Sequence, residues 1–265
     1  MRMLAVIPTP ILMYHSVAVD APPGFARFVV TPDNFKLQMN FIRDLGLEAI
    51  SISEYIKRLK IRALSDRVVV LTFDDGFSDF SQSVIPTLSH MKFTATLYVV
   101  SGLIGRRSIW LRGEGASLPL LDGRQISEIA MQGIEIGAHT MTHPKLDCLE
   151  ISEARKEIFR SKLALEDHLG FEVNSFAYPF GFRNRRIKEL VKDAGFESAC
   201  AVRYRTALST DDVFDLPRHI VRGDMPFSEF QDLVCGRPAR LRQCLDISRS
   251  WIGNQWRQFR WRVGK

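Results

Sequence analysis

Short apolar, β-branched runs alternate with stretches of helical periodicity along nearly the whole chain. Eight runs read as strands, at residues 11–14, 47–50, 68–73, 94–100, 134–138, 173–177, 197–202 and 216–221. Between them the helix signals are explicit. Thr31 and Pro32 supply an N-cap and a first-turn proline for a helix that Gly46 ends. Residues 150–169 carry Ile151, Ala154, Ile158, Leu163 and Leu165 at helical spacing ahead of Gly170, and a further helix is expected over residues 77–91. Strands and helices in regular alternation imply an α/β fold with a mainly parallel sheet, closed as a TIM-like barrel or open and doubly wound.

The unusual polar residues follow the strand ends. His15 comes after 11–14, Asp74 and Asp75 after 68–73, His139 and His143 after 134–138, and Tyr178-Pro179-Phe180-Gly181 after 173–177. In a parallel barrel every carboxyl end opens on one face, where active sites are built from the strand-to-helix loops. One cavity is therefore expected to collect all four groups.

Of 265 residues, 46% are hydrophobic and 25% charged, which excludes disorder and a multi-span membrane protein. No run reaches the roughly 18 apolar residues that would span a bilayer. The net charge of +6 is concentrated at one end. Residues 231–265 hold eight Arg or Lys against Asp232 and Asp246, leaving 28 basic and 28 acidic side chains over 1–230. A nucleic-acid-binding body is disfavoured, and any electrostatic partner is expected at the tail. The barrel is accordingly expected over residues 1–230 and a basic amphipathic tail over 231–265. The four cysteines form no CxxC pair and read as reduced thiols, and Pro8 and Pro10 break the opening apolar run before it resembles an export signal. The cytosol is the expected compartment.

Asp74-Asp75-Gly76 sets two carboxylates side by side at the end of a buried strand, where they repel unless a cation or proton separates them. Taken alone, the triplet reads first as an N-cap of the helix that follows. His139-Thr140-Met141-Thr142-His143 offers two imidazoles suited to one metal ion, and Pro144 turns His143 away from helical geometry, so the pair belongs to a loop. The two motifs at neighbouring strand ends together favour a metal site.

Thr72-Phe73-Asp74-Asp75-Gly76, His139-Thr140-Met141-Thr142-His143 and Phe176-Ala177-Tyr178-Pro179-Phe180-Gly181 resemble the first three motifs of the polysaccharide deacetylases. This family is also called the NodB-homology domain or carbohydrate esterase family four. The resemblance covers residues 10–225 in the expected order, and it implies a distorted (β/α) barrel. It further implies Asp74 as general base; Asp75, His139 and His143 as ligands of a divalent metal, most often Zn2+; and the backbone N–H of Phe180 as an oxyanion donor, with Tyr178 beside it. Removing an acetyl group from an amide suits these residue types: a metal with open positions polarises the carbonyl and acidifies water, and a free carboxylate takes the proton.

The chain departs from the family pattern in two places. Ala177 stands where many relatives carry an Arg that orients the base, and no Leu-x-His motif near the C-terminus supplies the usual acid. His15, in Met13-Tyr14-His15-Ser16-Val17, resembles the Tyr-His element of the biofilm-polysaccharide branch and is the preferred acid, with His219 second; a structural His15 held by backbone groups is the rival reading. Arg218 is expected among the substrate-binding residues, where it could orient Asp74 in place of the missing Arg; the rival is an ordinary surface ion pair. Phe180 could be core packing, and Asp79 is expected to be solvated on the next helix. His90 and His168 fall late in helices and read as surface positions.

Residues 101–123 carry five glycines with Trp110 and Arg112, and read either as a loop over the barrel face that stacks an aromatic on a sugar or as a plain surface excursion. In the tail, Leu245, Ile252, Trp256, Phe259 and Val263 repeat at helical spacing. That helix would lie on anionic lipid at the inner membrane surface or dock across the bottom of the barrel. The expected activity is metal-dependent removal of N-acetyl groups from N-acetylhexosamine residues of a bacterial exopolysaccharide or its lipid-linked precursor. The alternatives are hydrolysis of another amide or ester, such as an O-acetyl group or a formamide, and glycan binding by a disabled barrel.

Overall fold

The computed structural model describes residues 6–111 and 118–237. Its strands are β1 (Pro8–Thr9), β2 (Ile11–Tyr14), β3 (Ser16–Val17), β4 (Val29–Val30), β5 (Glu48–Ile50), β6 (Val68–Phe73), β7 (Thr96–Val99), β8 (Glu135–Ala138), β9 (Ser175–Ala177), β10 (Ser198–Cys200), β11 (Ala207–Leu208) and β12 (His219–Ile220). The helices are α1 (Pro32–Asp44), α2 (Ile52–Lys60), α3 (Ile85–Met91), α4 (Gly123–Met131), α5 (Ile151–Leu169), α6 (Arg185–Asp193) and α7 (Phe227–Val234). Each of the eight expected strand segments contains a strand of the main sheet.

Hydrogen-bonded parallel neighbours run in the order β10, β9, β8, β7, β6, β2 and β12, with β5 paired to the first half of β6. Leu12 faces Leu71 and Leu97 faces Ile136 across the ladders. The segment leading into β12 joins the two ends of this curled sheet. Leu216 donates its N–H to the Ala199 carbonyl at 3.0 Å and accepts from Ala201 at 2.8 Å, while β12 itself lies beside β2. The result is the expected distorted (β/α) barrel. Strands covered on both faces explain why the sequence shows unbroken apolar runs rather than alternation: all six residues of β6 are buried.

Alternation nevertheless sorts the side chains into two layers. Ile11, Val68, Val70, Tyr98, Ala177, Cys200 and Leu216 cluster together inside the barrel, with Ile52, Tyr55 and Ile56 of α2. Their neighbours Leu12, Val69, Leu71, Leu97, Phe176 and Ala199 point outward into the larger core shared with the helices. Extending the inner set by one step at the carboxyl ends leads to His15, Asp74, His139 and Arg218.

Helix ends follow the residues that predicted them. Thr31 Oγ1 accepts the Asn34 N–H at 3.3 Å, and Gly46 and Gly170 leave α1 and α5 in left-handed backbone, φ 67° and 77°. The helix expected from residue 77 begins later, as a π-helical turn over Phe80–Val84 that leads into α3. Pro86 explains the break, because it has no N–H to donate back to Gln82 and the regular ladder cannot pass through it. α7 runs across residue 230 and packs on α1, with the Phe41 and Phe227 ring centres 5.6 Å apart. The tail helix expected beyond it, from residue 238 onward, lies outside the described residues. No helix among the described residues is long and apolar enough to cross a membrane.

Candidate active site

A cavity of about 1040 Å³ opens at the carboxyl ends of the strands and is lined by His15, Asp74, Asp75, His139, His143 and Phe180, among others. The four strand-end motifs therefore meet, as expected.

Asp75 Oδ1 lies 3.5 Å from His139 Nε2 and 3.3 Å from His143 Nε2, and it makes no hydrogen bond. An oxygen this buried is normally satisfied. Ligand bonds of about 2.0–2.1 Å in a tetrahedral zinc-type site place donor atoms roughly 3.4 Å apart, so the spacing fits three ligands of one metal ion. Asp75, His139 and His143 form the one such group among the described residues.

Local structure fixes these donors. His139 Nδ1 sits 2.7 Å from the Ala177 carbonyl, which makes Nδ1 the protonated nitrogen and leaves Nε2 as donor to a metal. The loop to His143 turns through left-handed backbone at Thr140 (φ 66°) and His143 (φ 61°), an unfavourable conformation for a β-branched residue. Glu157 of α5 holds it there: Oε2 accepts the Met141 and Thr142 N–H groups at 2.9 Å and Oε1 accepts the Thr142 hydroxyl at 2.8 Å. The His143 ring is stacked on Trp110, centroids 4.8 Å apart, and meets Phe180 edge-on at 4.7 Å.

Asp74 stands beside this group but outside it. Arg218 clamps it, Nη1 to Oδ1 and Nη2 to Oδ2, both at 2.7 Å, and also donates to Thr72 Oγ1 and the Ala201 carbonyl. Burial opposes ionisation of both carboxyls. For Asp74 the Arg218 guanidinium outweighs it, for Asp75 the two imidazoles do, and each acid is held below the usual range. The same burial presses the His143 and His15 imidazoles toward their neutral forms, against the pull of the two carboxylates. His15 faces the cavity with its ring against Phe28, and its buried Nδ1 has no partner, so no backbone group holds it as the structural reading required.

Arg218 is fully buried, which replaces both the surface ion pair and the substrate contact with a role behind Asp74. Ala177 sits inward on β9 with only a methyl group to offer, and Arg218 reaches the Asp74 carboxylate from beyond β2 instead. Phe180 is 44% exposed at the cavity rather than packed in the core, on a left-handed turn at φ 59°. Gly181 follows it at φ 73°, where a Cβ would meet the Val202 backbone nitrogen at 2.7 Å.

Three expectations are corrected. The Tyr178 side chain is buried in the outer layer, its hydroxyl donating to the Phe214 carbonyl at 3.0 Å, and it does not line the cavity. His219 also turns away, toward Thr206 Oγ1 at 3.4 Å. Both residues are of outward parity, neighbours of the inward Ala177 and Arg218. Asp79 is not solvated; it accepts from Ser16 Oγ at 2.7 Å and from the Val17 N–H at 2.9 Å. Trp110 and Leu111 reach the cavity, whereas Arg112 of the same loop lies outside the described residues.

A parallel barrel that gathers two carboxylates and two imidazoles at the carboxyl ends of its strands defines a metal-assisted hydrolase. The chain belongs to the polysaccharide deacetylase family, whose model matches residues 62–199. It is similar to the Streptococcus pyogenes deacetylase PplD solved with acetate, at 26% identity and TM-score 0.77, over 87% of this chain and 99% of that one. YxkH of Bacillus subtilis is 25% identical over 222 residues, 83% of this chain and 74% of the relative. A poly-β-1,6-N-acetyl-D-glucosamine N-deacetylase of Staphylococcus aureus is 20% identical over 207 residues, 75% of this chain and 69% of the relative.

Proposed function

We propose that this deacetylase removes the acetyl group from N-acetylhexosamine residues of a bacterial exopolysaccharide or its lipid-linked precursor. The observation that carries the reading is the division of labour between adjacent carboxylates. Asp75 converges with two imidazoles, while Asp74 stays outside that set, ionised by Arg218 and open to the cavity. The named substrate of the Staphylococcus aureus relative supports the choice of sugar.

Asp75, His139 and His143 would hold a divalent ion, and their N,N,O donor set suits Zn2+. When bound, such an ion polarises the amide carbonyl and lowers the pKa of water. Asp74 takes the proton from the attacking water, and Arg218 keeps its two oxygens fixed while it does so. The backbone N–H of Phe180 donates to the oxyanion that forms on the former carbonyl. His15 delivers a proton to the amine as the C–N bond breaks, so that acetate and a free amino sugar leave. Burial favours the neutral form of this imidazole, so the proton it hands on must first reach it from the water that Asp74 deprotonates.

Acetate release from N-acetylglucosamine oligomers, compared with O-acetylated and N-formylated sugars, tests the substrate bond. Asp74→Asn should abolish turnover while metal binding persists; unchanged turnover removes the base assignment. Membrane contact through the tail is a separate proposal, resting on the basic and apolar residues of the tail, and the cytosolic compartment is another, resting on cysteines that form no CxxC pair.

A further inference from the structure

The cavity lining combines two unlike sets of side chains. Trp110, Phe25, Phe28 and Phe180 offer aromatic faces suited to pyranose rings. The same lining also carries Arg183, Arg185, Lys188, Arg203 and Arg205. Two of these cations are neutralised where they stand: Lys188 by Asp212 at 2.8 Å, and Arg205 by both oxygens of Asp211 at 2.8 Å.

The others are not. Arg183 and Arg203 share the single carboxylate of Asp215, leaving one positive charge over. Arg185, at the start of α6, is exposed and has no ion pair among the described residues. Lys145 is exposed too, its ammonium 5.7 Å from the centre of the cavity-facing Phe180 ring, and again without an acidic partner among the described residues. The other acids lining the cavity cannot balance these charges, since Asp74 and Asp75 are occupied by Arg218 and the two imidazoles, and Glu189 pairs with Lys192 at 3.3 Å. Burial lowers the pKa of the Arg183 guanidinium, Asp215 opposes this and Arg203 adds to it, so a further anion at this point would relieve the crowding of the two cations. The volume of about 1040 Å³ lies at the top of the range of roughly 300–1,000 Å³ that takes a drug-sized ligand, with room for more than one sugar unit.

We infer that the glycan bound here carries a negative charge, a carboxylate or a phosphate, within a residue or two of the N-acetyl group, and that Arg183, Arg185 and Arg203 receive it. Planar guanidinium forks are matched to carboxylate and phosphate oxygens, and the two surplus charges of these arginines, with Lys145 beside Phe180, have no counterpart in a neutral glycan. The inference rests on the deacetylase reading and narrows its substrate to acidic polymers or to sugars still joined to a diphosphate carrier.

The test compares matched probes on the full chain loaded with Zn2+. A tetrasaccharide alternating N-acetylglucosamine with glucuronate is set against the same compound with its carboxyls reduced to alcohols. N-acetylglucosamine linked to a short-chain prenyl diphosphate is set against its uncharged prenyl glycoside, and neutral β-1,4- and β-1,6-linked N-acetylglucosamine tetramers complete the series. Both kcat/KM for acetate release and the affinity of the Asp74→Asn protein are measured. At least one charged probe should exceed its uncharged partner by about tenfold, a margin that shrinks with added salt and falls by about tenfold in Arg185→Glu. Which pair shows the margin tells carboxylate from phosphate. Equal values within every pair, or a margin indifferent to Arg185→Glu, overturn the inference while acetate release from the neutral tetramers leaves the deacetylase reading standing. Failure to release acetate from any probe removes that reading instead, and the affinities alone then decide the charge preference.

Discussion

Arg218 and Asp74, 144 residues apart along the chain, meet inside the barrel through two hydrogen bonds of 2.7 Å. The pair is buried, so neither charge can be satisfied by water if the other is removed. Arg218 approaches from β12 and Asp74 from the end of β6, strands that lie on either side of β2. The missing Arg of the third motif is therefore replaced across the barrel, and its absence gives no support to a disabled, glycan-binding protein.

Arg218→Lys should keep the charge but lose the two-pronged geometry, lowering kcat by about 10–100-fold, the worth of one charge-assisted hydrogen bond. Arg218→Ala leaves a buried carboxylate unpaired and should cost about 3–5 kcal/mol of stability. Steady-state kinetics and denaturant melts read the two effects. A Lys variant with unchanged kcat would show that the fork is not needed.

Glu157 touches no other part of the site than the loop between His139 and His143. Glu157→Gln should weaken metal binding by about 10–100-fold, because the loop's left-handed turns lose the carboxylate that ties them down. Titration with Zn2+ in the presence of a competing chelator measures this. Equal affinity for the two proteins would mean that the loop holds its shape unaided.

Much of this site was legible before any coordinates. Strands buried on both faces stand out as apolar runs, and the polar residue that ends each run is placed by topology at a common mouth. Rotation about the strand carries the rest. With Val68 and Val70 inward, Thr72 and Asp74 must also face inward; with Leu216 inward, Arg218 follows and His219 is turned out. The same count assigns Ala177 to the inside and Tyr178 to the outer core. Glu157 could not be found this way, since nothing in a nineteen-residue helix marks which of its exposed acids reaches a loop.

Metal binding should be visible as stability. Asp75, His139 and His143 gather in the fold alone, so an ion binds the native state and not the unfolded chain. At a free Zn2+ concentration of about 100 times Kd the gain is about 2.7 kcal/mol. Thermal melts with and without Zn2+ should differ accordingly, and the difference should vanish in His143→Ala. A shift that survives this substitution would place the ion elsewhere.

The tail offers a separate test. Its basic and apolar residues should bring the intact chain up with anionic liposomes in a flotation gradient, and a chain ending at Cys235 should stay behind. Equal recovery of the two removes the membrane contact.

His219 should make the fold acid-sensitive in a defined window. Burial, and then the nearby Arg205, push its imidazole down from 6.5 to about 4, and its Nδ1 has no partner. Above pH 6.5 the imidazole is neutral in both states, so it contributes no pH dependence. Between 6.5 and about 4 the unfolded chain takes up a proton that the folded chain refuses, and stability falls with pH. Below that range both states are protonated and the loss stops growing, at about 3 kcal/mol in total. Denaturant unfolding at a series of pH values should show this slope in the native chain and a shallower one in His219→Gln. Identical slopes would mean that the imidazole reaches solvent by local opening before the protein unfolds.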